Sequence, residues 1–221
     1  MKKKMPQYTR SQERWNSISH LVGAVFALVV LCIFISLQCT YHISFRYMYP
    51  FYIYFLFMCG TFLNSTIYHS SPMNSKIRGV CRVIDHSSIY LFVAGTYTPI
   101  VLRGVTSEPI SIALIVIQYS FALFGILITV FGLQKKAFAI IGYIIYVIQG
   151  WAIMFFYPFN QCLSFNVFLF TLIGGVVYTI GAVSYAVGKK NAWFHTVFHL
   201  FIVVAAIIQF IGVYNIICPF F

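Results

Sequence analysis

The chain has 221 residues, 61% of them hydrophobic and only 8% charged, with a mean hydropathy of +0.90. Soluble domains carry roughly 25% charged residues, so a water-soluble fold is excluded and the chain reads as an integral membrane protein. Its net charge of +11 does not mark a nucleic-acid binder, because the basic residues sit in the tail and loops, where they address anionic headgroups.

In chain order, residues 1–16 form a basic tail, followed by seven apolar runs near 17–37, 47–68, 83–102, 110–131, 138–157, 165–187 and 193–214. Crossing a hydrocarbon core takes about 20 helical residues, so these predict an all-α, seven-transmembrane helix bundle. Short connections make neighbouring helices antiparallel. Alternating strand patterns are absent, which argues against an outer-membrane barrel. No linker, low-complexity tract or solenoid repeat divides the sequence, so residues 1–221 read as a single domain. The first run is longer than a typical signal-peptide core and has no small-residue cleavage site after it, so it reads as a retained helix.

Twelve of the 14 lysines and arginines fall on one side of such a bundle. They are Lys2, Lys3, Lys4, Arg10 and Arg14 in the tail, then Lys76, Arg78, Arg82, Lys135, Lys136, Lys189 and Lys190 in the even-numbered loops. Only Arg46 and Arg103 fall opposite. The positive-inside rule then predicts a cytoplasmic N-terminus and, after seven crossings, a C-terminus outside. Cys39, Cys162 and Cys218 fall toward the outer face, where a disulfide among them is chemically allowed, whereas Cys32 and Cys59 read as buried packing residues.

With that orientation, five of the six histidines collect near the inner interface and only His42 lies outward. His69 ends the second span, four residues after Ser65. Asp85 and His86 fall in the first turn of the third span, and His195 and His199 open the seventh. Ionisable side chains are costly inside a bilayer and read by default as functional. His195 and His199 are spaced i, i+4 and project from one helix face, as the two metal-binding histidines of HExxH do. The segment reads HTVFH, with no glutamate inside it, so an acid–base group must come from another helix. The chain has three side-chain carboxylates. Glu13 is predicted in the tail and Glu108 outside, which leaves Asp85 as the carboxylate inside a span at this depth.

A His₃ set from His69, His195 and His199 would suit Zn2+ with a fourth position open to water, the mark of a catalytic rather than a structural site. Asp85 could hold or deprotonate that water, and Ser65 could hydrogen-bond Asp85, the water or a reacting carbonyl. Such a site is suited to hydrolysis. Each residue also has a plainer reading: packing histidines in HTVFH, His69 among headgroups, Asp85 paired with Arg82. Their coincidence at one depth favours the metal. His86 is expected to point away from Asp85. Glu13, Asn16 and His20 share one face at the start of the first helix, where they either support the site or form a solvated helix start. Gly95, Thr96, Thr98 and Pro99 predict a kink or close helix contact late in the third span, and Gly174 and Gly175 predict close helix approach.

The pieces ERWNSISH (13–20), STIYHS (65–70), RVIDHSSIYLFVAGTYTP (82–99) and HTVFHLF (195–201) occur in an order that resembles the hemolysin III family, the bacterial branch of the progestin and adipoQ receptor superfamily. The resemblance covers essentially the whole chain. It implies a seven-helix bundle with a cytoplasmic N-terminus. It also implies zinc held near the cytoplasmic side by His69, His195 and His199, with Asp85 near the bound water and Ser65 as the serine of an SxxxH pattern. The related alkaline ceramidases use a similar zinc site for amide hydrolysis. The expected function is therefore a zinc-dependent hydrolase of a lipid amide or ester, its lipid substrate bound within the bundle, in a bacterial cytoplasmic membrane. Alternatives are a pore-forming cytolysin, from which the family takes its name, and a receptor-like membrane sensor with structural zinc.

Overall fold

The computed structural model describes residues 8–73, 75–133, 135–152, 154, 163–187 and 191–217, and their regular structure is entirely helical. The helices are α1 (Arg10–Thr40), α2 (Phe45–Ser70), α3 (Lys76–Pro99), α4 (Glu108–Gly132), α5 (Lys136–Ala152), α6 (Phe165–Val187) and α7 (Trp193–Ile217). Five of them, α1, α2, α4, α6 and α7, are long and apolar enough to cross a membrane. Of the other two, α3 begins at Lys76 and carries Arg78, Arg82 and Asp85 in its first half, which dilutes its hydropathy. The apolar stretch of α5, Ala137–Trp151, is short, and the rest of the predicted fifth span lies largely outside the described residues.

The starts of α1 and α3 lie furthest ahead of what hydropathy predicts, and both bear on the site. Thr9 caps α1 in a reciprocal box with Gln12, so the helix begins at Arg10 and carries Glu13 and Asn16 on its inner face. Ser75 caps α3 by accepting from the Arg78 N–H, which puts Asp85 in the third turn rather than the first. Hydropathy locates the lipid-facing part of a helix; capping chemistry locates its end.

Bulky apolar residues such as Val22, Val25, Leu28, Leu123, Phe124 and Phe131 face outward, as expected where the surrounding solvent is lipid. Inside, aromatics such as Phe34, Phe51, Tyr54 and Phe62 share the core with small and polar residues. Between helices in lipid, close packing and hydrogen bonds hold the bundle, because tails outside are as apolar as the core. Gln118 of α4 and Gln149 of α5 illustrate this. Each donates its side-chain amide to the other's backbone carbonyl, at 3.1 and 3.3 Å, and Gln149 also donates to Tyr90 O of α3. A Cβ on Gly95 would press on Phe57 of α2, and one on Gly174 of α6 would meet Gln209 of α7. Glycine permits both close approaches; Gly175 has more room. After Pro99 the helix loosens into a π-helical turn, Ile100–Gly104, whose Arg103 donates to Tyr47 O at the start of α2.

Cys32 is exposed on α1 and Cys59 is half-buried, so the buried packing expected of this pair fails at Cys32, which faces outward. Cys39 is exposed, and Cys162 and Cys218 lie outside the described residues. Helix α1 packs against α2 and α7, α7 also packs on α6 and touches α3, and α3 lies against α2, α4 and α5. This arrangement brings the end of α2 and the starts of α1, α3 and α7 to one end of the bundle. Arg46 and Arg103 lie together at the opposite end, where Arg103 donates to Arg46 O.

Candidate metal centre

His69 sits in the last turn of α2, while His195 and His199 occupy the first two turns of α7. His195 Nε2 lies 3.3 Å from His69 Nε2 and 3.1 Å from His199 Nε2. Among the described residues, these three histidines form the one group of metal-binding residue types whose ligand atoms all lie within 4.8 Å of one another. His69 and His199 are buried at 3% and 2% exposure, and His195 is partly exposed.

The outer ring nitrogens determine what the inner ones can do. His69 Nδ1 lies 2.7 Å from Glu13 Oε2. An ionised carboxylate only accepts, so His69 carries its proton on Nδ1 and turns the Nε2 lone pair inward. His199 Nδ1 lies 3.1 Å from the backbone carbonyl of Asn16, which also only accepts, so its Nε2 is likewise a bare acceptor. A proton on His195 Nε2 can serve one of these two facing lone pairs, not both. One cation at their centre serves all three. Zinc–nitrogen bonds of about 2.0–2.1 Å at tetrahedral angles place ligand nitrogens about 3.3 Å apart, close to the two separations found. The donor set fits zinc.

Helix α1 supplies the support. Asn16, fully buried, accepts from His199 through its backbone and from Thr196 Oγ1 through its side chain at 2.6 Å. Ser19 Oγ donates to the same Asn16 carbonyl and lies 3.3 Å from His199 Nδ1. His20 stacks on the His199 ring at 3.8 Å between centroids. Glu13 spans His69 and Arg78 of α3, whose guanidinium also donates to Tyr68 O and Ser71 O. The ERWNSISH segment is thus a supporting face rather than a solvated helix start. Glu13 lies in that helix, not in a tail, and it is the carboxylate hydrogen-bonded to the histidine cluster. Tyr8 stacks on His195 at 5.1 Å, and burial pushes its phenol well above the ordinary range. Periodicity gave no signal for Tyr8, which precedes the helix.

Asp85 is buried at 9% exposure, and its charge acts on His199. Its Oδ2 lies 3.4 Å from His86 Nδ1, so His86 does not point away from it as expected. That contact lacks hydrogen-bond alignment, since His86 Nδ1 has no hydrogen-bond partner. No ion pair joins Asp85 to Arg82 among the described residues, which removes the plainest structural role for Asp85. Ser65, one turn before His69, is 1% exposed, and its Oγ has no hydrogen-bond partner among the described residues. It does not bond Asp85 in this structure. A buried hydroxyl left unpaired costs free energy, and Ser65 Oγ carries that cost among the described residues.

A cleft of about 300 Å³ reaches His69 and Glu13 from outside between Arg10, Arg14, Ser17 and Met73.

The family model for haemolysin-III-related proteins matches residues 8–210. The chain is 31% identical over 196 residues to a hemolysin-3 homolog of Bacillus subtilis (strain 168), covering 88% of this chain and 89% of that relative. It is also 31% identical over 225 residues to hemolysin-3 of Bacillus cereus, covering 99% of each.

Proposed function

The chain belongs to the haemolysin-III-related family of membrane proteins, and we propose that it is a zinc-dependent hydrolase of a lipid amide or ester. The carrying observation is the convergence of three imidazole Nε2 atoms, two of them held as bare acceptors by Glu13 and Asn16. Its setting is a single seven-crossing bundle with the N-terminus and the histidine cluster at the cytoplasmic face of a bacterial cytoplasmic membrane. The segregation of basic residues supports that orientation.

His69, His195 and His199 would hold the metal. A zinc ion bound there would supply Lewis-acid chemistry, activating a carbonyl and a water. Asp85 orients the attacking water and takes its proton on a carboxylate oxygen. Ser65 Oγ donates to the oxygen of the reacting carbonyl, where negative charge develops. As the carbon–nitrogen or carbon–oxygen bond breaks, protonated Asp85 returns the proton to the leaving amine or alcohol, which closes the balance.

The test is to purify the protein, measure zinc by mass spectrometry, and assay fatty-acid release from vesicles before and after chelation. We expect about one zinc per chain, the stoichiometry of a single three-histidine site, and release that stops with metal removal and returns with zinc. Wild-type protein without zinc, or release indifferent to chelation, overturns the reading.

Glu13→Gln is a more selective probe. The carboxylate fixes the tautomer and raises the basicity of His69, and such partners contribute about 10–100-fold to metal affinity. Competition with a zinc chelator should show a loss of that size. The melting temperature should fall as well, because Arg78, only 2% exposed, loses its counter-charge.

The name of the Bacillus cereus relative favours a second reading, a cytolysin. Liposome leakage that survives removal of all three histidines would favour the pore; leakage absent from the wild type would exclude it.

A further inference from the structure

The unusual charge at this end of the bundle is Arg82. It is 5% exposed, its Nε has no hydrogen-bond partner, and its guanidinium makes no ion pair among the described residues. Arg78, one turn earlier on the same face of α3, is saturated by Glu13, Tyr68 O and Ser71 O, with its guanidinium over the Tyr68 ring. A buried charge without a partner is costly, and the protein has few ways to supply one.

Its three side-chain carboxylates are otherwise placed. Glu13 is committed to Arg78 and His69. Asp85 lies against His86. Glu108 opens α4 beyond the far end of α3, whose 24 residues span about 36 Å at 1.5 Å each. The guanidinium does have polar neighbours: its charge acts on Tyr8, Tyr68, Tyr143 and His195. Tyr8 stacks on His195, and Tyr185 packs against the same imidazole at 5.2 Å and meets Tyr143 through their hydroxyls. Tyr8, stacked on His195, carries a phenol able to donate at the same end of the bundle. A guanidinium fork matches the two oxygens of a carboxylate or phosphate.

We propose that Arg82 receives the anionic group, carboxylate or phosphate, of the lipid processed at the histidine centre, so that the protein selects acidic lipids. The substrate class rests on the hydrolase reading above; the anion site does not, because it can be measured as binding alone. Arg82 here is a specificity residue, placed beside the reacting centre through His195.

The test uses full-length, zinc-loaded protein in phosphatidylcholine nanodiscs and a fluorescent N-acylglycine paired with its methyl ester. Wild type should bind the acid about tenfold or more tightly than the ester, the scale of a charge-assisted hydrogen bond. Arg82→Gln should bring the acid to the ester's affinity, with ester binding and zinc content unchanged, and Arg82→Lys should keep part of the preference. Displacement of the acid by inorganic phosphate would show that the site takes a free oxyanion. Displacement by unlabelled acid alone would show that it takes the anion as a lipid headgroup.

Equal binding of acid and ester by wild type overturns the proposal. So does a preference that survives in Arg82→Gln, which would assign it to Arg10 and Arg14 at the surface. Should Arg82→Gln fail to fold, the wild-type comparison and Arg82→Lys decide. Acid-selective binding without cleavage of either probe upholds the anion site and counts against the hydrolase reading. Cleavage of both without selectivity does the reverse.

Discussion

His199→Ala is expected to abolish stoichiometric zinc binding and, with it, all zinc-dependent fatty-acid release. The loss should exceed the roughly 10–100-fold that an outer hydrogen-bond partner contributes, because the substitution removes a donor atom itself. Two nitrogens then remain of a set whose geometry depends on all three. His199 also touches more of α1 than either other ligand: it donates to Asn16 O and stacks on His20. Alanine therefore opens a cavity as well as removing a ligand, and a fall in melting temperature alone would be ambiguous. His199→Gln resolves this, since it keeps most of the volume and an amide donor for Asn16 while offering no imidazole. Zinc lost in both variants, with the glutamine variant retaining its melting temperature in chelator-treated form, is the expected pattern. Zinc retained in both would sink the assignment of the ligand set.

The two largest features of this chain were legible in its sequence for different reasons. Helical, membrane-embedded character follows from composition and run length alone. The histidine cluster followed from combining the i, i+4 spacing of His195 and His199 with the depth of His69, which the distribution of lysine and arginine supplied. The boundaries were less legible. Hydropathy begins where the lipid begins, whereas α1 and α3 begin at Thr9 and Ser75 caps in polar stretches. That difference hid the role of Glu13, which read as a tail residue but lies one helical turn above Asn16, facing His69. Tyr8 left no trace, because a residue ahead of the helix has no period to betray it. His86 shows the limit of projecting residues onto an ideal helix: neighbours in sequence occupy different faces, yet their side chains still meet.

Arg82 shows the same limit from the other side. Counting positive charge predicts an orientation for the bundle, but it treats every arginine in a loop or helix start as equivalent. The structure separates Arg78, wrapped by Glu13 and two carbonyls, from Arg82, also buried but without an ion pair among the described residues. Only the three-dimensional census of carboxylates distinguishes an arginine that holds the fold together from one that awaits a ligand.

Asp85→Asn carries the second large effect: hydrolysis should fall about 10²–10⁴-fold, the usual contribution of a positioned general base, while zinc content stays at the wild-type level. Asparagine preserves the shape of the buried side chain beside His86, but its amide cannot take a proton from water. The separation of activity from metal content is what assigns the role. Asp85 stands outside the set of ligand atoms that lie within 4.8 Å of one another, so a variant that lost zinc together with activity would place it on the metal instead. Activity preserved within about twofold would mean that its carboxylate serves only as a neighbour to His86. The proton acceptor would then have to be Glu13, the other carboxylate at this end of the bundle, already engaged by Arg78 and the His69 N–H. The Arg78 guanidinium and the His69 N–H occupy both of its oxygens, which makes Glu13 a poor base and an effective anchor. On that division of labour, Asp85→Asn should change the rate at a fixed zinc affinity, and Glu13→Gln should change the affinity first.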